Sequence, residues 1–342
     1  MTIAVASRSD ESVIDNMANR NGRNRKIAVI GTINRDTVTR ADGSRHEGYG
    51  GILYNLAALS ALSPSGITVC PVTNVGRDCS QQILNRLAQF ARLELQGVRT
   101  VAKPNNHCIL RYRDAANKTE VLKGWGGGVS RGQLQTVVDA KLILINFISG
   151  ADISRRNLCW LRGRCEGNIY MDFHSRTLGR HRDGSRFLRR PVDWKEYLDC
   201  ADIAQMNELE FELLSGHKAD EISCTDFLKR KLDRTRCLIV TRGSLGCFIM
   251  QRLGATIRFR SIPAPRVAQV TDTTGCGDIF SAGFIANYLT TGSEVVAASY
   301  ATKLASWRVG LNDFFEVDLA AFSKKGRTET SGDNLRNSKR NI

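Results

Sequence analysis

Short apolar segments alternate along the chain with longer segments whose apolar residues recur at helical spacing, and this alternation constrains the fold most. The apolar segments have the length of single strands and lie at 26–31, 67–72, 142–147, 168–171, 203–206, 237–241, 246–250 and 255–262. Helical patterns separate several of them, and two more follow at about 275–290 and 293–309. Strands that alternate with helices predict βαβ units and a mainly parallel sheet covered by helices.

Two polar segments, at about 36–49 and 105–123, do not fit a buried parallel sheet. The second reads as paired strands around a turn at 114–117. We therefore expect both segments to form a small side sheet that could act as a lid. The pattern predicts one main domain over 26–322, which includes these lid segments. We expect a disordered leader at 1–25 and a disordered basic tail at 323–342.

Length and cysteine usage limit the class of protein. The chain has 342 residues, which is long enough to bury a core without disulfide bonds. Its 10 cysteines include no pair at CxxC spacing, so we predict no zinc site and expect reduced thiols. No apolar run approaches the roughly 20 residues of a membrane helix, and 1–25 lack the apolar core of a signal peptide. We expect a cytoplasmic protein with no membrane partner.

Positive charge is concentrated in two parts of the chain, and the formal net charge is +15. Segment 155–195 has 11 basic and 4 acidic residues, and segment 323–342 has 6 basic and 2 acidic residues. Such a surplus can be a solvated face and tail, a surface for a polyanion, or a set of arginines for an anionic substrate. Because interleaved aromatic residues and a groove-reading helix are missing, nucleic acid is the less favoured partner.

The most informative motif is the stretch Asp-Thr-Thr-Gly-Cys-Gly-Asp at 272–278. Gly275, Cys276 and Gly277 come directly before a helical pattern, where free backbone N–H groups and the helix dipole can bind an anion. Asp278 would lie in the first turn beside that anion, where it could accept a proton from an attacking hydroxyl. From these residues alone, an ordinary helix start explains the pattern equally well. The chain has neither a GxxxxGK[ST] nor a GxGxxG motif.

This stretch resembles the C-terminal signature of the ribokinase-like (PfkB) carbohydrate kinase family, whose pattern is D-T-x-G-A-G-D. Cys276 stands where the family usually has alanine. The resemblance implies that Asp278 is the catalytic base and that the amides of Gly275, Cys276 and Gly277 form an anion hole for the transferred phosphoryl group. It also implies an α/β fold, a three-layer sandwich with a mainly parallel central sheet and a small β lid.

Three further segments resemble substrate-binding parts of the same family. Residues 31–36 resemble the end of its first strand, and 50–55 resemble its N-terminal signature, although 52–54 depart from the usual side chains and leave the sugar unidentified. Residues 172–176 resemble a D-x-N-x-R motif whose arginine reaches an anion, with His174 in place of the asparagine. A surface arginine explains this last match equally well. The residues that these resemblances assign to the substrate are Asn34, Asp36, Gly50, Gly51, Asn55 and Arg176.

Two other segments resemble the nucleotide site of the family. Residues 207–210 match its N-x-x-E motif, which implies that Glu210 organises Mg²⁺ through water, and a capped helix start is the simpler alternative. Residues 241–246 resemble its nucleotide-binding turn, and a simple glycine turn is the alternative. The residues assigned to the nucleotide are Asn207, Thr241, Gly243 and Gly246. Asp272 and Thr274 lie where some family members bind a monovalent cation, which makes K⁺ a candidate activator.

The resemblance covers roughly 26–315 and implies ATP-dependent phosphotransfer to a hydroxyl of a sugar, sugar acid or nucleoside. Mg²⁺ and ATP would take part, and the lid would close to exclude water. Lid-to-lid contacts in relatives imply a homodimer through the lid. The alternative is a non-catalytic protein that binds nucleic acid or another polyanion on a kinase scaffold.

Overall fold

A computed structural model of the protein describes residues 26–113, 118–124, 126–268 and 273–310. The predicted leader at 1–25 and the predicted tail at 323–342 lie outside the described residues.

Fifteen strands and nine helices form within these ranges. The strands are β1 (Lys26–Ile30), β2 (Ile33–Thr39), β3 (Arg45–Gly51), β4 (Thr68–Gly76), β5 (Val98–Val101), β6 (His107–Tyr112), β7 (Lys118–Lys123), β8 (Leu142–Asn146), β9 (Asn168–Asp172), β10 (Leu178–Arg180), β11 (Arg186–Leu188), β12 (Ile203–Asn207), β13 (Cys237–Thr241), β14 (Cys247–Leu253) and β15 (Thr256–Ile262). The helices are α1 (Leu53–Leu62), α2 (Ser80–Leu87), α3 (Arg131–Gln135), α4 (Arg155–Arg162), α5 (Trp194–Leu198), α6 (Glu208–Ser215), α7 (Glu221–Lys231), α8 (Cys276–Thr291) and α9 (Glu294–Val309).

Nine of the strands form one central sheet in the order β15-β14-β13-β12-β9-β8-β1-β4-β5. The strands from β13 to β5 run parallel to their neighbours, and β14 and β15 continue the sheet in antiparallel fashion. This topology confirms the predicted α/β fold with a mainly parallel sheet. Strand β5 was not predicted, because it is a four-residue edge strand whose residues are half-buried or exposed.

Helices cover both faces of the central sheet. Successive strand residues point to opposite faces, so Ile27 and Val29 join one core cluster while Ala28 and Ile30 join the other. The first cluster includes buried residues of α1, α2, α8 and α9, and the second includes buried residues of α3 to α7. The result is the predicted three-layer sandwich.

The four remaining longer strands form a separate sheet in the order β3-β2-β6-β7, which we call the lid sheet. It contains both polar segments that the sequence set apart from the central sheet. One face carries a small apolar cluster of Cys108, Leu110 and Leu122, against which Tyr112 packs. The hydroxyl of Tyr112 lies 3.4 Å from Oγ1 of Thr274, so this face contacts the segment that leads into α8.

A short antiparallel hairpin of β10 and β11, absent from the sequence prediction, lies against the edge of the lid sheet. The amide of Leu122 in β7 donates to the carbonyl of Gly184 at 2.9 Å. Val121 and Ser185 form an isolated antiparallel bridge beside it. The hairpin therefore pairs with an edge strand that would otherwise present unpaired backbone groups.

Among the described residues, no helix has both the length and the apolar character needed to cross a membrane. All cysteines are free thiols, and eight of the ten are buried.

Candidate active site

Polar side chains from distant parts of the chain meet at one edge of the central sheet, because the carboxyl ends of parallel strands lie at the same edge. Asn146 ends β8 and is paired in register with Asp172, which ends β9. Asn207 ends β12 and is paired in the same way with Thr241 of β13. The start of α8 lies over this edge, since a Cβ added to Gly277 would be 3.9 Å from Oδ2 of Asp172.

The start of α8 requires glycine at the position before the helix. Gly275 is the N-cap residue and has a φ of 74°, in the left-handed region that favours glycine. A Cβ at this position would also lie 2.9 Å from the ring of Tyr54. The first amides of a helix have no intrahelical acceptors and can bind an anion. One of them is engaged, since the amide of Cys276 donates to the carbonyl of Thr273 at 3.2 Å.

Asp278 lies in the first turn of α8 and is held by two asparagines. Nδ2 of Asn146 donates to Oδ1 of Asp278 at 2.6 Å and to Oδ1 of Asn55 at 2.8 Å. Asn55 donates in turn to the backbone carbonyl of Asp278 at 2.8 Å. Asn55 thus positions the carboxylate from within the protein. Asn146 was not predicted as a site residue, although its polar side chain at the end of an apolar strand was an available signal.

Burial raises the pKa of Asp278 to about 6, while the hydrogen bond from Asn146 and the charge of His174 act in the opposite direction. A carboxylate with a pKa near neutrality is a better general base than one at the usual value near 4, and it remains ionised above pH 6. Asp278 therefore combines a suitable pKa with a position beside helix amides that can bind an anion.

Asp36 extends from β2 on the face of the lid sheet that looks toward α8. Burial raises its pKa to about 8, and the charges of Glu120 and Asp278 add to this effect. Gly50 lies directly beside it, because a Cβ there would be 1.9 Å from Oδ2 of Asp36. The neighbouring Gly51 has a φ of 65°, so the close side chain of Asp36 explains glycine at 50 and the left-handed backbone explains glycine at 51.

Asn34 precedes Asp36 by two residues on the same face of β2 and is 5% exposed. Its Oδ1 atom is buried and has no hydrogen-bond partner among the described residues. A buried amide oxygen of this kind is costly unless a ligand or water donates to it.

A second buried carboxylate, Asp172, lies beneath the start of α8. Gln205 donates to its Oδ2 at 2.8 Å, and the hydroxyl of Tyr170 donates to Gln205 at 2.5 Å. Burial raises the pKa of Asp172 to about 8, against the effect of His174. This carboxylate was not predicted as a site residue.

Asn207 and Glu210 form a reciprocal cap at the start of α6. The amide of Glu210 donates to Oδ1 of Asn207 at 2.9 Å, and the amide of Asn207 donates to Oε2 of Glu210 at 2.8 Å. Oε1 of Glu210 also accepts from Nδ2 of Asn207 at 2.6 Å and lies 2.9 Å from Nδ1 of His174. No group of three potential metal ligands occurs among the described residues. This donor set does not fit a magnesium ion bound directly by the protein.

The turn predicted to hold the nucleotide connects β13 and β14. Gly243 begins a short 3₁₀ turn with a φ of 52°, and Gly246 follows this turn with a φ of 88°. A Cβ on Gly246 would lie 2.0 Å from the carbonyl oxygen of Ile262, so the turn depends on glycine there. Arg242, within the turn, donates to Glu208 at 3.3 Å. The turn and the N-terminus of α6 therefore lie side by side.

Arg176 does not present a free guanidinium. Its Nη2 atom lies 2.7 and 2.8 Å from the two carboxylate oxygens of Asp193, and the group stacks 4.4 Å from the ring centre of Tyr197. The predicted role in anion binding stays a prediction that competes with this internal ion pair. Asp272, predicted as a cation ligand with Thr274, lies outside the described residues.

At least five of the eleven basic side chains in segment 155–195 are paired with carboxylates. Its ion pairs are Arg155 with Glu196, Arg162 with Asp202, Arg176 with Asp193, Arg186 with Glu120, and Lys195 with Asp199 and Asp233. This pairing weakens the interpretation of the segment as a surface for nucleic acid or another polyanion.

Comparisons with known proteins show which sequences this chain resembles. Residues 186–312 match the family model of the pfkB family carbohydrate kinases. The chain is 24% identical to a cytidine kinase from Thermococcus kodakarensis over 265 residues, which cover 77% of this chain and 88% of that protein. It is 26% identical to an ATP-dependent ribose-1-phosphate kinase from Halopiger xanaduensis over 288 residues, which cover 82% and 88% respectively.

A solved structure of Arabidopsis thaliana ribokinase, complexed with ribose and ATP, has the same fold. It superposes with a TM-score of 0.70 at 19% identity, and the match covers 88% of this chain and 98% of that chain.

Proposed function

We propose that this chain is a pfkB family carbohydrate kinase and that it transfers the γ-phosphate of ATP to a hydroxyl group of a sugar or nucleoside. The match over residues 186–312 and the similarity to two kinases support this proposal. The observation that carries the proposal is the carboxylate of Asp278, held by Asn146 in the first turn of α8. That position brings a proton acceptor and helix amides that can bind a phosphoryl group to the same point.

In the proposed reaction, Asp278 accepts the proton of the acceptor hydroxyl as its oxygen attacks the γ-phosphorus in line. The bond between the γ-phosphorus and the bridging oxygen breaks, and ADP leaves with that oxygen. Amides at the start of α8 stabilise the charge on the transferred phosphoryl oxygens. Asn146 orients the carboxylate of Asp278 through its hydrogen bond to Oδ1, and Asn55 holds the backbone carbonyl of the same residue.

The acceptor would lie between Asp278 and the lid sheet. Asp36 and the unpartnered Oδ1 of Asn34 face this space from β2 and would bind hydroxyl groups of the acceptor. Tyr112 contacts Thr274 across the same opening, which supports a closed lid that excludes water and limits hydrolysis of ATP.

ATP would lie along the strand ends beside Asn207, Thr241, Gly243 and Gly246. Mg²⁺ would lie with the phosphates of the nucleotide, linked to Glu210 only through water. K⁺ activation through Thr274, and a homodimer formed through the lid sheet, remain part of the proposal.

An acceptor screen with purified protein and ATP tests the proposed function. We expect ADP formation above the rate of ATP hydrolysis with at least one member of a panel of free pentoses, hexoses, nucleosides, sugar acids and sugar phosphates. Mass spectrometry should show one added phosphoryl group on that acceptor. A panel without any phosphorylated product, from protein shown to be folded, would reject kinase activity toward this class.

The pH dependence of turnover should report the protonation of Asp278. Only the ionised carboxylate can accept a proton, and its pKa is raised to about 6. We therefore expect kcat to be constant well above pH 6, to halve near pH 6 and to fall to about a tenth at pH 5. Measurement of kcat with saturating acceptor and ATP between pH 5 and 8 tests this, and an unchanged kcat at pH 5 would contradict it.

A further inference from the structure

Glu120 lies on the lid face that looks toward the candidate acceptor site. In β7 it is paired in register with Leu110 of β6, and Leu110 is paired with Val38 of β2. Paired residues of neighbouring strands share a face, and so do residues two apart on one strand. Glu120 therefore shares its face with Asp36, which precedes Val38 by two residues.

The surroundings of Glu120 agree with that placement. Its side chain is 19% exposed, and its charge acts on both Asp36 and His174. The charge of Asp278 also raises the pKa of Asp36. Three carboxyl groups, on the lid and on α8, therefore lie close enough to interact around one space.

Arg186, from the hairpin of β10 and β11, lies behind Glu120. Its side chain is only 3% exposed, and its Nε atom is 3.9 Å from Oε1 of Glu120. Nη1 donates to the carbonyl of Ser149 at 3.0 Å, and Nη2 donates to the carbonyl of Ser175 at 3.2 Å. Those carbonyls orient the guanidinium, and Glu120 supplies its counter-charge.

Within the described part of the chain, two unpartnered buried atoms near this space are acceptors, and the Nε atom of Arg186 is an unpartnered donor that lies 3.9 Å from Oε1 of Glu120. Oδ1 of Asn34 and Oδ1 of Asn146 are both buried and have no partner among the described residues. The orientation of the Asn146 amide is fixed, because its Nδ2 atom donates to the amide oxygen of Asn55 and to a carboxylate oxygen of Asp278. A ligand that donates hydrogen bonds would satisfy these atoms, whereas a phosphate or carboxylate would add negative charge close to the carboxylates of Asp278 and Glu120.

We propose that Glu120, oriented by Arg186, is a specificity-determining residue that binds hydroxyl groups of the acceptor and excludes anionic acceptors such as sugar phosphates. This inference rests on the proposed function and selects among its acceptors. It also reverses the interpretation of the basic segment as a set of arginines for an anionic substrate, because Arg176 and Arg186 are both paired with carboxylates.

Glu120→Gln tests the proposal in a comparison of neutral and phosphorylated acceptors. In the wild-type protein we expect kcat/KM for the better of ribose and cytidine to exceed that for ribose 1-phosphate by at least about tenfold. In Glu120→Gln we expect KM for the neutral acceptor to rise about tenfold with a smaller change in kcat. The preference over ribose 1-phosphate should shrink by a similar factor, because a negative charge is removed and Arg186 loses its counter-charge.

Glu47→Gln is the matched control. Glu47 is also a lid carboxylate paired with arginines, Arg35 and Arg45, but it lies on the opposite face of the sheet. It should leave the ratio of kcat/KM values unchanged. If Glu120→Gln fails to fold in a thermal melt, Glu120→Asp keeps the charge and should retain the discrimination against ribose 1-phosphate.

Three results would overturn the proposal. The first is a wild-type preference for ribose 1-phosphate. The second is a ratio of kcat/KM values, neutral acceptor over ribose 1-phosphate, that is the same in Glu120→Gln as in the wild type. The third is a loss of discrimination against ribose 1-phosphate in a folded Glu120→Asp. Each of these results requires measurable phosphoryl transfer, so none of them contradicts the proposed kinase activity. Absence of transfer to every acceptor would instead reject the proposed function and this inference with it.

Discussion

Replacement of Asp278 by asparagine is expected to lower kcat by about 10²–10⁴-fold, with little change in the affinity for ATP. The amide has nearly the same shape as the carboxylate, and its oxygen can still accept the hydrogen bond from Asn146. What it cannot do is accept a proton from the acceptor hydroxyl. The kcat of the variant with saturating substrates and the Kd for ATP by calorimetry together measure the effect.

Asp226→Asn is a suitable control for this experiment. Asp226 lies on α7, where its carboxylate pairs with Arg230 at 3.3 Å and is 49% exposed. The same chemical change there should leave kcat within about twofold, since surface substitutions of this kind are usually nearly neutral. Turnover of Asp278→Asn close to that of Asp226→Asn would exclude Asp278 as the base.

Gly275→Ala is expected to lower kcat by about 10²–10³-fold, the loss seen when one donor of an anion-binding site is misplaced. Alanine is disfavoured at a φ of 74°, and its Cβ would lie 2.9 Å from the ring of Tyr54. The backbone must shift to relieve both effects, and the amides that follow it at the start of α8 would shift too.

Gly292→Ala separates the loss of the anion site from the cost of strained backbone. Gly292 follows the other end of α8 with a φ of 67°, and an added Cβ would meet no atom within 4 Å. Both variants should lose about 1–2 kcal/mol of stability in urea unfolding from the left-handed conformation, and Gly275→Ala should lose more because of the contact with Tyr54. Only Gly275→Ala should lose turnover, and equal kcat values in the two variants would contradict the assignment.

The chemistry of α8 could be predicted because its signals lie within a few residues of one another. Two glycines and an aspartate before a helical pattern indicate an anion site at a helix start, and the structure has α8 begin at Cys276. The cap formed by Asn207 and Glu210 is equally local, and the alternative interpretation of 207–210 as a capped helix start describes its hydrogen bonds well.

The partners of Asp278 could not be predicted in the same way. Asn146 is 132 residues away and reaches Asp278 only because β8 lies beside β1 in the centre of the sheet. Arg186 appeared in the sequence as one of many basic residues, and its role depends on a hairpin of three-residue strands that no periodicity indicates. Its pairing with Glu120 needs both the hairpin and the lid sheet in place.

By itself, the sequence determined the alternation of strands and helices, the segments that form the lid sheet, and the glycine–aspartate motif at the start of α8. These depend on interactions between residues that are near one another in the chain, so local patterns record them. The tertiary structure alone decided which strand ends adjoin α8, and therefore that Asn146 holds Asp278. It also decided that Glu120 shares a face of the lid sheet with Asp36, and that Arg176 and Arg186 are paired internally. The order of strands in a sheet depends on the packing of segments distant in sequence, and no local pattern records which of them will be neighbours.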